Sequence, residues 1–334
     1  MIVRPKPEKD SQTMTYLTKL AAVAVCASLA ATAADAQDTV TLTDGTGTDV
    51  AVPASPERIV SLHDTSLTVA LIELGVIPVG SHGRTEEDGT PFIRSGELVT
   101  GYDFANSDIA FVGNLPADIE AVAALEPDLI LTTSWQTAGV DQLRAIAPTY
   151  VFDIDATDDF DVYAQIAEVT GTTDRLEKLE NRYQAQLEVI NGLIDPSEIT
   201  VSVIQGHNGE LLVWNTYGSL GKVLRDAGFT FPDAINAIEG NSRQAFSGEA
   251  YPEFDGDFIF VTYRPSRGET PADARAALDE VLPGWCDVLH ACANNQVIYI
   301  PRELASSATY DSLFALTEIV GSHIVGRDFV PMAD

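Results

Sequence analysis

The pattern of this 334-residue chain places it in the α/β class: two Rossmann-like α/β lobes with parallel-rich sheets, joined by a single long helix, with a ligand cleft between the lobes. Three observations predict this. A phrase occurs once in each half: Glu120 leads to Asp128 and the apolar run Leu129, Ile130, Leu131, and Glu249 leads to Asp257 and the run Phe258, Ile259, Phe260, Val261. In both copies the glutamate stands eight positions before the aspartate that opens the run, and a short apolar run behind a turn signal reads as a buried parallel strand. Strands alternate with helical patterns on either side of these runs, the signature of parallel sheets covered by helices. Residues 159–193 interrupt that alternation with one long helical pattern.

In chain order, residues 39–52 alternate around Asp44, Gly45, Thr46, Gly47 and predict a β-hairpin. Residues 59–62 predict a short buried strand, and residues 66–74 a helix stopped by Gly75, followed by a strand over 76–80. Residues 81–112 are polar and glycine-containing, without a clear period, which is where a binding loop is tolerated. Then come a helix over 119–125, a strand over 129–133, a helix over 140–147 and a strand over 149–152. The long helical stretch carries Ile166, Val169, Leu176, Leu179, Tyr183, Leu187 and Ile190 on one face, with Gly171 as its weak point, and reads as a helix or helix pair between the lobes. Beyond Pro196 the alternation resumes, with strands over 200–205, 211–214, 258–262 and 297–300, a helix over 219–227 and a closing helix over 313–325. The predicted organisation is a leader over 1–36, a first lobe over 37–158, a connecting helix over 159–195 and a second lobe over 196–334. A single helical crossover between lobes predicts limited hinge motion.

The leader reading rests on Lys19, the apolar stretch from Leu20 to Ala34, and Ala34, Asp35, Ala36, a small-x-small cleavage pattern that puts the mature start at Gln37. The stretch is short of the ~20 residues of a membrane span. Val25 before Cys26 is too bulky for the usual lipoprotein site, so a released, periplasmic protein is expected, and residues 1–13 read as an extension or a misplaced start. The formal net charge of −31 argues against nucleic acid and anionic membranes as partners, since both need a basic patch. In an exported compartment Cys286 and Cys292 are permitted to pair, two free thiols being the alternative.

Catalytic signatures are missing. There is no GxSxG elbow, GxxxxGK[ST] loop, HExxH or CxxC, which lowers the expectation of an enzyme. Polar and aromatic residues instead gather at predicted strand ends, where α/β sheets bind ligands. His63, His82 with Arg84, and Ser134 with Trp135 follow strands of the first half; His207, Asn215 with Tyr217, and Tyr263 with Arg264 follow strands of the second. Trp135 and Arg264 both stand fifteen positions after the repeated glutamates. Aromatic faces and guanidinium groups suit a large anionic, partly aromatic ligand. The competing reading of each arginine is a surface ion pair. His63, His82 and His207, with Asp64, form a weaker candidate set for a divalent metal, because their spacing fixes no geometry. A hydrolase using His63 or His207 as base is a remote alternative. The repeated glutamates also read simply as carboxylates at helix starts.

Over nearly all of the residues beyond the leader, the chain resembles the periplasmic substrate-binding proteins of ABC importers for iron-siderophore complexes, haem and cobalamin. The resemblance is carried by "VTLTDGTGTDVAVPASPERIVSL", "LIELGVIPVG", "VGNLPADIEAVAALEPDLILTTS" and "FSGEAYPEFDGDFIFV". It implies two α/β lobes linked by one long helix, a non-enzymatic monomer with no cofactor, and a ferric siderophore as ligand, with haem, cobalamin or a bare divalent metal as alternatives. It implies docking of one glutamate per lobe on the membrane permease subunits, matched by Glu120 and Glu249, with Glu73 a poorer candidate. It also implies a ligand set similar to Arg84, Trp135, Trp214, Tyr217, Arg243, Tyr263 and Arg264. With few basic residues, a carboxylate or mixed-type siderophore fits as well as a catecholate.

Overall fold

A computed structural model describes residues 1–3, 38–136, 138–239 and 243–333. Met1–Asp38 forms a unit of its own, and Thr39–Asp334 forms the second. Beyond residues 1–3, the leader and its cleavage point lie outside the described residues. Among the described residues no helix is long and apolar enough to cross a membrane.

The hairpin pairs β1 (Thr39–Thr43) with β2 (Asp49–Pro53) in antiparallel register, Thr41 opposite Ala51. Its turn is held by Asp44, whose carboxylate accepts the Thr46 and Thr48 amides at 2.9 and 3.0 Å and meets Arg144 at 3.0 Å. The first sheet has the order β7-β4-β3-β8-β9 and is parallel throughout, formed by β3 (Ile59–Ser61), β4 (Gly80–Ser81), β7 (Ala110–Phe111), β8 (Leu129–Thr133) and β9 (Thr149–Phe152). Every residue of β3, β8 and β9 is buried, which is why these strands read as continuous apolar runs. Their side chains alternate between faces. Ile59, Leu129 and Leu131 join one core, whereas Val60 and Ile130 join another with Val122 and Leu143.

The expected strand over 76–80 is only Gly80–Ser81. A Cβ on Gly80 would stand 2.4 Å from Leu125 Cδ1, so glycine is required where the helix before β8 crosses this strand. The expected helix over 66–74 begins as a π-helical turn, Asp64–Thr68, and becomes α-helical over Val69–Glu73. The stretch without a period, 81–112, holds a ribbon of β5 (Arg84–Thr85) and β6 (Pro91–Phe92), the helix Gly96–Thr100 and a 3-10 turn, Phe104–Asn106.

The second sheet has the order β12-β11-β10-β13-β14, from β10 (Val201–His207), β11 (Glu210–Trp214), β12 (Arg243–Phe246), β13 (Phe258–Tyr263) and β14 (Val297–Pro301). It is mixed: β10, β13 and β14 run parallel, while β11 and β12 add antiparallel. The repeated phrase occupies the same place in both sheets, fourth of five, with β8 parallel to β3 and β13 parallel to β10. The aspartates before these strands have matching tasks. Asp128 accepts the Glu57 and Arg58 amides at 2.7 and 2.9 Å, and Asp257 accepts the Thr200 amide at 2.7 Å, each fixing the chain entering the neighbouring strand.

Residues 159–193 form two helices, Asp159–Thr170 and Thr173–Leu193, not one. Gly171 ends the first with φ of 68°, a conformation that side-chain-bearing residues seldom adopt. All seven predicted core positions on this stretch are buried, and they belong to one apolar cluster that runs from Ile59 and Leu129 to Val201 and Phe260. A core continuous through the crossover resists relative movement of the two sheets.

Candidate functional site

The carboxyl ends of the strands in both sheets border one cleft. On one side stand Thr65, which follows β3, and the loop bearing Arg94, Ser95 and Leu98. On the other stand Arg264, which follows β13, with Arg267, and Arg302, which follows β14; together they enclose about 650 Å³. A second cavity of about 390 Å³ lies against Asp158, Asp159 and Phe160 on one side and Trp214, Tyr217 and Lys222 on the other. Arg302 and Ser306 line both.

Four arginines, Arg94, Arg264, Arg267 and Arg302, line the larger cavity together with four carboxylates, Glu86, Glu97, Asp103 and Glu303. Two are braced from behind. The Asp64 carboxylate, fully buried, receives Arg94 Nε at 2.9 Å and Nη2 at 2.5 Å. Burial alone would raise the Asp64 pKa, but the bonds from Arg94 and His82 outweigh it and hold the carboxyl well below the usual range. Glu269 accepts Arg264 Nε at 2.8 Å and the Arg264 amide at 2.9 Å. Removing the brace at Arg94 has a cost for the whole fold. Asp64→Ala is expected to destabilise the protein by roughly 2–3 kcal/mol in urea unfolding, at the low end for a broken buried pair because Arg94 is a third exposed. A change under 0.5 kcal/mol would refute the assignment.

The candidates read from sequence divide. Arg264, Trp214 and Tyr217 line the cavities. Trp214 and Tyr217 meet edge to face at 4.6 Å, and the Tyr217 hydroxyl lies beside Arg302 and 3.3 Å from Thr262. Trp135 is half-exposed, its Nε1 bonded to Asp155 at 2.8 Å. His63 is buried edge-on to Trp135 at 5.9 Å; its Nδ1 accepts the Ser66 amide at 3.2 Å. Burial pushes the His63 pKa down to about 4, and Nε2 has no protein partner among the described residues, leaving a donor at the end of β3. Arg84 lines neither cavity and bonds Asn114 Oδ1 at 3.3 Å. Arg243 also lies off both cavities, exposed on edge strand β12 opposite Trp214, and half-buried Tyr263 ends β13.

Arg94, Arg267 and Arg302 were not among the sequence candidates. Arg302 had a signal, since it follows a predicted strand as Arg264 does, and Arg267 closes the turn after Arg264. Arg94 lies in the stretch without a period, and only the fold brings it to Asp64. The metal alternative does not assemble. His63 and His82 stack at 5.8 Å, but His207 is exposed on the β10–β11 hairpin beside Asn208, and among the described residues no three His, Cys, Asp or Glu side chains group to hold a metal.

Glu120 and Glu249 are both exposed, each opening the helical turn that precedes its strand. Glu73 is buried at 6% exposure, bonded to Tyr163, Tyr310 and Asp311, so it offers no surface for docking. Cys286 and Cys292 are joined in a disulfide with Cα atoms 4.7 Å apart.

Comparison with known proteins finds relatives, similar structures and a family. The chain is 29% identical over 230 residues to the "Probable siderophore-binding lipoprotein YfiY" of Bacillus subtilis, covering 65% of this chain and 67% of the relative. It is 27% identical over 232 residues to the iron(3+)-hydroxamate-binding protein YxeB of the same organism, covering 66% and 67%. The fold is like that of Staphylococcus aureus SirA in its crystal structure complexed with staphyloferrin B, with a TM-score of 0.67 and 22% identity, covering 86% of this chain and 98% of that one. The family model described as periplasmic binding protein matches residues 99–304, from before the Glu120 phrase to the helix that carries Arg302, and the chain therefore belongs to the periplasmic binding protein family.

Proposed function

We propose that this protein captures a ferric siderophore between its lobes and delivers it to the permease of an ABC importer, without chemistry on the ligand. The observation that carries the reading is the convergence of four arginines from both sides of one cleft, in a chain with only 19 basic residues and a net charge of −31. The cavity also holds Glu86, Glu97, Asp103 and Glu303, and Arg94 and Arg264 are paired to Asp64 and Glu269, so Arg267 and Arg302 are the guanidinium groups offered to carboxylate or other anionic oxygens of a ligand. The names of the relatives YfiY and YxeB, and staphyloferrin B in the SirA complex, support iron chelates as the cargo. Arg264, Trp214 and Tyr217 stand as contacts together with Arg94, Arg267 and Arg302, whereas Trp135 and His63 line neither cavity. Arg84, Arg243 and Tyr263 are peripheral. The iron is cargo, and no resident cofactor is part of this reading. An exported, monomeric protein is proposed, with residues 1–36 as leader, lobes over 37–158 and 196–334, and Glu120 and Glu249 as the docking points on the permease.

Trp214 lines the cleft, Trp135 is half-exposed and Trp285 is buried. Titrating purified protein with ferric siderophores of citrate, hydroxamate and catecholate types is therefore expected to quench fluorescence saturably, one ligand per chain, at a Kd of about 1 µM or tighter for the most anionic complex. Quenching by none of the three, with binding of haem or bare zinc instead, would overturn the reading.

A further inference from the structure

Glu73 is the last residue of the first-lobe helix Val69–Glu73, yet its carboxylate is the meeting point of three separate parts of the chain. It receives the Tyr163 hydroxyl from the first crossover helix. It also receives the backbone amides of Tyr310, at 2.9 Å, and Asp311 from the first turn of the closing helix Tyr310–Ile324 in the second lobe. Thr309 caps that same helix, accepting the Ser312 amide at 3.1 Å, and the chain just before it is the helix Arg302–Ser306, which lines both cavities. A carboxylate of one lobe therefore holds the segment that carries Arg302 of the other.

The surroundings of Glu73 are poor in compensating charge. Tyr163 and Tyr310 face it from the crossover and closing helices. Asp311 faces it with like charge, Glu180 accepts the Tyr310 hydroxyl at 3.4 Å, and Asp226 stands behind Tyr310 and Tyr183. Arg175 spends its Nε on the Glu73 backbone carbonyl, at 3.3 Å. The ionised carboxylate is thus held by backbone dipoles and one phenol, with no side-chain cation bonded to it.

We propose that Glu73 is a proton-dependent latch between the lobes: protonated, it is stably enclosed and fixes the Arg302–Asp311 segment, whereas ionised, it favours states in which this contact opens to water. The direction follows from linkage. Burial, opposed by the bonds from Tyr163 and Tyr310, raises the Glu73 pKa from 4.5 to about 7. Between those values the closed contact keeps a proton that a hydrated Glu73 has released, so its stability is full at the acid end and is lost as the pH rises through about 7. The latch acts whatever occupies the cleft, and its test needs no ligand.

Glu73→Gln removes the titration, and its amide nitrogen, a donor only, gives up part of the bonding at every pH alike. Hydrogen exchange of the Tyr310 and Asp311 amides is compared between wild type and E73Q at the same pH so that intrinsic rates cancel. Between pH 5 and pH 8 the ratio of wild-type to E73Q rates is expected to rise by about 70-fold, the change that a pKa of 4.5 in the open and about 7 in the closed contact gives. In wild-type protein labelled with ¹³C at the glutamate carboxyl, one resonance should titrate near pH 7. A ratio of exchange rates that does not change with pH overturns the latch. So does a Glu73 midpoint below pH 5.5, which also decides the matter should E73Q fail to fold.

Discussion

Replacing Glu120 and Glu249 together with arginine is expected to reduce transport into cells or proteoliposomes by at least about 100-fold while changing ligand affinity less than about twofold. Both side chains are exposed, and each lies in the helical turn that precedes the fourth strand of its own sheet, so neither substitution disturbs a core. Under the docking proposed for these glutamates, reversal turns two attractions into repulsions. Like charges placed against each other there cost several kcal/mol, and two such sites act together. Single reversals should lie between wild type and the pair. The measurement is uptake of radioactive iron as its siderophore complex, set beside fluorescence titration of the same variants. Loss of ligand affinity with uptake reduced only in proportion would mean that these glutamates serve the cleft and not a permease.

The second large effect is expected at Arg302. Arg302→Ala should weaken binding of an anionic ferric siderophore by about 100-fold, since a charge-assisted hydrogen bond contributes roughly 1.5–3 kcal/mol and this guanidinium borders both cavities. Arg243→Ala is the control. It removes an arginine from an exposed edge strand away from both cavities, and should change affinity less than twofold. The loss at Arg302 should shrink for a neutral chelate and change little with salt, because a partly enclosed charge is screened less than a surface one. Equal effects at both arginines would remove the cleft from consideration as the binding site.

The contrast between these arginines marks how far sequence reasoning reached. Strand-end logic found Arg264, because a parallel strand delivers the residue after its last buried position to the carboxyl edge of the sheet; it also named Trp214 and Tyr217, although these follow the antiparallel strand β11. The same logic applied to β14 would have found Arg302. It chose Arg84, which does follow a strand, but which bonds Asn114 and lines neither cavity. Arg94 was out of reach. Its stretch has no period, and the pairing that orients it, with Asp64 thirty residues earlier, depends on where an irregular loop returns. His207 shows the converse: a histidine at a strand end, but in a hairpin whose partner strand runs antiparallel, so its side chain lies beside Asn208 and not with His63.

In the sequence Glu73 reads as a glutamate near the end of a helix and as a poorer docking candidate than Glu120 and Glu249. Its burial arises because helices far apart in sequence pack over it, and the partners on its carboxylate are 90, 237 and 238 residues away. Local pattern carries no trace of such contacts.

What the sequence by itself determined is the pair of α/β lobes and the repeated strand at the same place in each, because hydrophobic period and turn residues act within a dozen positions. Gly171 announced a weak point for the same reason, and the structure resolved it into a break between two crossover helices. Only the tertiary structure decided which arginines share a cleft, which glutamates face solvent and which one is enclosed between the lobes. Those outcomes depend on long-range packing, where the surroundings of a charged side chain are set by segments that its own neighbours in sequence do not specify.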